Sequence, residues 1–225
     1  PFTVTLGAHQ TYLVSALLEA DDLTGSRIVA EVPQGLCDGI AVFGGSRCPN
    51  VPTGCYACDH LYEQLPPLSA WGTSYFSVPF TGPSSYTLRA LASEDNTTLT
   101  YNGAPYSLDM GEVVEWNSVT AAVYLETDKP VSVAQYMEGT VCAQQGDPSM
   151  LMLSAEDQGV DQAIFSTVVS TVITSHRMGL VTDAINAGAV LLDGVPIPAA
   201  SFTSYAQRPD KAYTDVLLTQ GSHSL

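Results

Sequence analysis

The sequence predicts an all-β protein, built of antiparallel, hairpin-containing units packed as sandwich-like or barrel-like layers. Three observations carry this. Nearly every patterned segment is short, alternates with period two or is a β-branched run, and is cut by Gly, Pro, Asn or Asp. Asn102-Gly103 and Asp193-Gly194 each follow an apolar strand-like run, and a two-residue type I′ turn needs positive φ at both central positions, which these residues tolerate. Helical periodicity is nearly absent.

Taken in order, strands are expected over residues 2–6, 11–15, 27–32, 40–43, 86–92, 97–101, 121–125 and 131–136. The pattern breaks in residues 48–80, where three of the five cysteines, several prolines and Trp71 gather. Such a stretch has no regular ladder to hold it and calls for a staple. Inside it, Asp59 caps a short helix over 59–65 that Pro66-Pro67 stops; a second helical turn is expected over 157–164, and Gly44-Gly45-Ser46 reads as a turn. A weak internal repeat follows the glycines Gly7, Gly111 and Gly221. The second and third copies are preceded by Asn102-Gly103-Ala104-Pro105 and Asp193-Gly194-Val195-Pro196. The first two are followed by acidic turns, at 22–26 and 127–130, that lead into strands. The reading is therefore one domain, 1–225, of two or three related sub-units (1–45, 73–136 and 163–225). The third copy stops at Leu225 before its closing strand, so an open edge is expected there.

Composition narrows the function classes. With 23 acidic against 7 basic residues, the net charge of −16 repels phosphate backbones and anionic headgroups, so nucleic-acid binding is not expected. No run approaches the ~18 apolar residues of a spanning helix, so membrane insertion is not expected either. The start at Pro1 lacks a basic leader and reads as a processed piece. Clustered cysteines beside the Asn96-Thr97-Thr98 sequon, which would carry glycan at Asn96 in a eukaryotic secretory pathway, point to an extracellular or cell-surface setting. Partners should be extracellular proteins or glycans, with self-association through the open edge as a further expectation.

Cys48, Cys55, Cys58 and His60 have spacing that zinc could use, but a domain with its own core in an oxidising compartment favours disulfides. Cys142 follows the 131–136 strand and could reach Cys37 or Cys55; the pairing expected is with Cys37, which also flanks a long strand, leaving Cys55 as the odd thiol. Asp21, Asp22, Glu94 and Asp95 are hard ligands on turns that suit Ca²⁺, although turn formation is the favoured account of them; no other cofactor is expected. The four histidines are scattered, with no G-x-S-x-G, Walker or H-E-x-x-H motif, so no enzyme is expected. His60 is read as a histidine satisfied within its helical turn. Of Trp71, Trp116, Tyr75, Phe76, Tyr86, Tyr101, Tyr106, Tyr124 and Tyr136, most are assigned to the core rather than to a sugar-stacking face.

Several phrases together resemble the N-terminal domain family of IgGFc-binding protein, which has bacterial and eukaryotic relatives. They are Ile40-Ala41-Val42-Phe43-Gly44-Gly45, Cys48 with Cys58-Asp59-His60-Leu61, Glu63-Gln64-Leu65-Pro66-Pro67, Trp71-Gly72, residues 89–98, 127–131 and Gly146-Asp147-Pro148-Ser149-Met150. The resemblance implies a β-rich, secreted or cell-surface, non-enzymatic module of a larger protein, and it implies a Cys48–Cys58 pair; it carries over no Fc-binding residue. Cys37, Cys55 and Cys142 lie outside the matching phrases. The function expected is binding or adhesion through loops 46–70 and 138–150, with His60, Trp71, Asp147 and Ser149 as candidate contacts. The alternative is a structural subunit of a surface fibre or matrix, assembling through the C-terminal edge.

Overall fold

The computed structural model describes residues 1–18, 21–31, 39–173 and 175–225. Sixteen strands form among them: β1 (Phe43–Ser46), β2 (Leu61–Gln64), β3 (Gly72–Ser77), β4 (Tyr86–Ala92), β5 (Thr97–Tyr101), β6 (Ala104–Leu108), β7 (Val113–Val119), β8 (Val123–Met137), β9 (Ser149–Met152), β10 (Ile164–Thr167), β11 (His176–Asp183), β12 (Leu191–Leu192), β13 (Val195–Pro196), β14 (Thr203–Ser204), β15 (Lys211–Leu218) and β16 (Gly221–Ser224). Every pairing is antiparallel. The all-β expectation holds. Among the described residues, helix is limited to 3-10 turns and α1 (Thr140–Ala143).

β8, 15 residues long, is the spine of a seven-stranded curled sheet ordered β6-β5-β8-β4-β7, with β3 and β9 also paired to it. It changes neighbours midway: Leu125–Thr127 pairs with β5, and Val131–Met137 with β4. The expected strands 121–125 and 131–136 are thus parts of one strand, and 127–130, expected as a turn, is the bend between them. Pro130, which has no N–H to give, sits where the pairing of β3 also shifts register, the position in a sheet that tolerates proline. Both hairpins form as expected, with φ of 49° and 81° at Asn102 and Gly103, and 52° and 77° at Asp193 and Gly194.

The concave face of the sheet holds the main core, with Leu88, Leu99, Leu125, Val131 and Val133 sealed from solvent around Tyr75 and Tyr86. Burial of each aliphatic side chain contributes roughly 1.5–3 kcal/mol. The sheet curls until its edges meet: Trp116 of β7 stacks on Tyr101 of β5 at 4.6 Å and takes Tyr106 of β6 edge-on at 5.4 Å. None of the nine aromatics weighed between core and sugar-stacking face is exposed.

The second half of β8 is apolar on both faces because the convex side is covered too. Ala134 and Tyr136 pack there against Val51 and Leu61, with Met150 and Met152 alongside. The Cys-rich stretch is therefore a flap laid over the outside of the sheet.

The expected strands at 2–6, 11–15 and 27–31 do not form; no strand precedes Phe43 among the described residues, and Val32 lies outside them. Alternation fixes how a segment would present its side chains once paired, but it does not supply a partner. Leu13 and Leu17 accordingly stay 88% and 96% exposed. Only the acidic turn at 22–26 docks: Asp22 accepts the Thr24 N–H and pairs with Arg89 at 3.3 Å. Over 157–164 a single 3-10 turn, Glu156–Gln158, replaces the expected helix.

The C-terminal strands form the sheet β11-β15-β14, the hairpin β12-β13 and the long-range pair β10-β16. They dock on the curled sheet through rings and one ion cluster. Tyr205 donates to the Ser77 carbonyl at 3.0 Å and packs on Phe76, which meets Tyr124. Arg208 lies over the rings of Phe76 and Tyr124 and reaches Glu156, which Lys211 also contacts at 2.8 Å. Burial works against the Glu156 charge, but donors on Lys211, Ser74 and Arg208 hold its pKa down to about 2.

The last strand closes on the Asp193 turn. Nδ1 of buried His223 lies 2.8 Å from the Asp193 carboxylate and Nε2 lies 3.0 Å from the Thr219 carbonyl. Both partners are acceptors, so both bonds require the imidazolium. The hydrogen bond to Asp193, then that to Thr219, raises the His223 pKa; the same Asp193–His223 bond, then the Ser224 N–H, lowers that of Asp193. A raised histidine pKa gives stability that is full below the ordinary value of about 6.5 and is lost as pH climbs through the folded one. A lowered aspartate pKa gives stability present above about 3.9 and lost on acidification. Urea titrations at several pH values should find the pair's contribution greatest between about pH 4 and 6.5. His223→Gln should flatten that profile; an unchanged profile would remove the pair from the account.

Candidate functional site

The two loops expected to carry recognition are one structure. Cys55 and Cys142 are joined, with Cα atoms 5.5 Å apart, so the bridge ties loop 46–70 to α1 in loop 138–150. This corrects the expected pairing of Cys142 with Cys37 and the assignment of Cys55 as the odd thiol; Cys37 lies outside the described residues. Flanking a strand in sequence did not decide the partner. What decides it is that the flap folds back over β8, placing Cys55 beside the exit of that strand. The contact is close: Gly139 donates to the Val51 carbonyl at 2.9 Å, and a Cβ on Gly139 would stand 2.9 Å from the Cys55 carbonyl. Cys48 and Cys58 form the second bridge, as the resemblance implied. With both bridges made, none of Cys48, Cys55 and Cys58 keeps a thiolate for zinc.

The expected helix over 59–65 is instead strand β2, paired with β1. Leu61 and Leu65 satisfy either a four-residue or a two-residue period, and the ladder with β1 selects the second. Gly44 and Gly45, read from sequence as a turn, lie inside β1. Gly45 faces Tyr62 across the ladder, and a Cβ there would collide with the Leu61 carbonyl, so the close approach of the two strands requires glycine.

This hairpin has one face down and one face out. Leu61 points into the convex-side core, while His60, Tyr62 and Gln64 face solvent. Phe43, diagonal to Tyr62, stacks on it at 5.1 Å with 3° between ring planes, and His60 also stacks on it, at 5.9 Å and 20°. Phe43 is 48% and Tyr62 60% exposed. Three rings thus stand together on the outer face of a hairpin that belongs to a doubly bridged flap seated on a core, a rigid apolar strip.

The sequence profile of the IgGFc binding protein family matches residues 1–225. The chain belongs to the IgGFc binding protein family. The human "IgGFc-binding protein" is 32% identical over 137 residues, which is 59% of this chain and 2% of the human protein; the chain thus spans only a small part of that relative. No solved structure matches.

In this IgGFc binding family domain, the candidate contacts fall as follows. His60 is one of the three stacked rings, exposed rather than satisfied in a helix. Trp71 is half-buried and donates its Nε1–H to the Pro66 carbonyl, fixing the chain as it leaves the flap. Asp147 is exposed and Ser149 opens β9 beside Met137. Glu138, at the head of the second loop, is fully buried. Phe43 and Tyr62 were missed by sequence reasoning, although the alternation of His60, Tyr62 and Gln64 was present to find them.

The acidic turns carry turn hydrogen bonds. Asp21 accepts from the Leu18 N–H, Asp22 from Thr24 and Asp95 from the Met110 N–H. Among the described residues no three His, Cys, Asp or Glu side chains gather into a metal group, and no helix is long and apolar enough to cross a membrane. Asn96 stands exposed in the β4–β5 turn at φ 54°, open to modification.

Proposed function

We propose that this domain is an extracellular, non-enzymatic binding module whose contact surface is the Phe43–Tyr62–His60 strip and whose ligand is a protein. The observation that carries the reading is the strip's exposure on a doubly bridged flap. Exposed aromatic area held rigid loses little entropy on binding, which is what protein contact surfaces exploit. Stacking also argues for a protein over a sugar at this place: Phe43 and His60 both stack on Tyr62 and compete with a pyranose for its ring faces, while the three rings together make an apolar band. The disulfides suit an oxidising compartment, and a net charge of −16 favours neutral or cationic partner surfaces. The human relative's name points to an antibody Fc as one protein to try.

Surface plasmon resonance against immobilised, deglycosylated IgG Fc and a panel of secreted proteins tests this. Tyr62→Ala and Phe43→Ala should each weaken any interaction by about tenfold or more, the scale of an aromatic anchor. Both should leave the melting temperature near that of the parent, since neither ring is buried. Binding that survives both changes, or the absence of any bound protein, would sink the proposal.

A further inference from the structure

We propose a second binding site, for a neutral glycan, in the groove where the C-terminal strands meet the curled sheet. The groove has a volume of about 300 Å³ and is lined by Tyr101 and Asn102 of the β5–β6 hairpin, Asn117, Ser118 and Thr120 around the end of β7, and Gln207 from the loop before β15. That volume is at the small end of the range for small-ligand sites. In a chain with 23 acidic residues, no described lining residue carries a formal charge.

The chemistry of the lining selects the ligand class. Asn102, Asn117 and Gln207 carry amides that both donate and accept, and Ser118 and Thr120 add hydroxyls. Sugar hydroxyls likewise donate and accept, so each finds a partner here. A sialylated or sulfated ligand would bring an anion to a groove with no cation to meet it, within a field of the same sign. Tyr101 also lines the groove, its ring held by stacking on Trp116 at 4.6 Å and 11°.

The groove is ordered before anything enters. Gln207 Nε2 donates to Asn102 Oδ1 at 3.2 Å, joining the two parts of the molecule, and Asn117 Oδ1 accepts from Thr87 Oγ1 at 3.0 Å. Asn102 and Ser118 are held left-handed, at φ 49° and 56°. Ser118 lies in a bulge where β7 slips register against β4, and that interruption breaks the row of main-chain donors an added peptide strand would need. The site stands apart from the aromatic strip of the flap and does not depend on it.

Saturation-transfer NMR and calorimetry with chitotriose, N-acetyllactosamine and mannotriose, with sialyllactose and an uncharged Gly-Ala peptide as controls, test the site. At least one neutral sugar should bind, and Gln207→Ala, Thr120→Ala and Asn102→Gly should each weaken it about tenfold, one hydrogen bond's worth. All three side chains are exposed, and glycine keeps the left-handed turn, so folding should hold; thermal melts check this. Tyr62→Ala should leave sugar binding unchanged. The proposal falls if no neutral sugar gives transfer, if the groove variants bind like the parent, if sialyllactose binds as tightly as the neutral sugars, or if the peptide competes.

Discussion

Replacing Cys55 and Cys142 together by Ser should lower the free energy of unfolding by about 4.5 kcal/mol, the loop-entropy value for a closed loop of this length. The bridge spans 87 positions of sequence, against 10 for Cys48–Cys58, whose loss should cost about 2–3 kcal/mol. A second cost adds to the entropic one. The Cys55–Cys142 bridge clamps the flap over Ala134 and Tyr136 on the convex face of β8, so freeing the flap uncovers apolar area that is buried in the parent. Recognition should suffer with stability, because the Phe43–Tyr62–His60 strip rides on the same flap. Urea unfolding of the double variant, compared with a Cys48→Ser/Cys58→Ser control, measures the difference. A loss below about 1 kcal/mol, or a control that loses more, would show that the clamp is not what holds the flap down.

Glu138→Ala is expected to cost about 3–5 kcal/mol, although the residue lies in a loop read from sequence as a recognition surface. Its carboxylate is sealed from solvent and accepts from three groups: Ser85 Oγ, Thr87 Oγ1 and the Ser118 N–H. Deleting it strands the Ser85 hydroxyl and the Ser118 N–H, each at about 1–3 kcal/mol, while Thr87 keeps Asn117 Oδ1 as an acceptor. Ser118 would also lose the acceptor that fixes its left-handed bulge. Glu138→Gln should cost far less, since one amide oxygen can still serve Thr87 and Ser118 while the amide nitrogen donates to Ser85. Equal losses in the two variants, measured by urea unfolding, would contradict this account.

The central sheet could be read from the sequence because its evidence is local. β4 and β5 coincide with alternating runs, and the hairpin turns at Asn102-Gly103 and Asp193-Gly194 announce themselves through positive φ. What could not be read depended on partners distant in the chain. The alternation before Phe43 looked like strand but found no ladder. Residues 127–130 looked like a turn because Asp128 and Pro130 usually make one, yet sheet pairing on both sides carries β8 through them. Cys55 found Cys142 only because the flap returns over β8. The strip of rings was hidden for the same reason: over so few residues, Leu61 and Leu65 fit a helix as well as a strand, and only pairing with β1 turns His60 and Tyr62 outward together.

The Cys55–Cys142 bridge also has a mechanical meaning. All strands from β2 to β8 lie between its two cysteines, so tension applied to the chain outside residues 55–142 passes through the covalent link and leaves those strands unloaded. Some 87 residues, about 300 Å of fully extended backbone, are thereby withheld from stretching until the bridge is reduced. Under pulling, β1, β9 and the C-terminal strands would yield while β2 to β8 kept their shape.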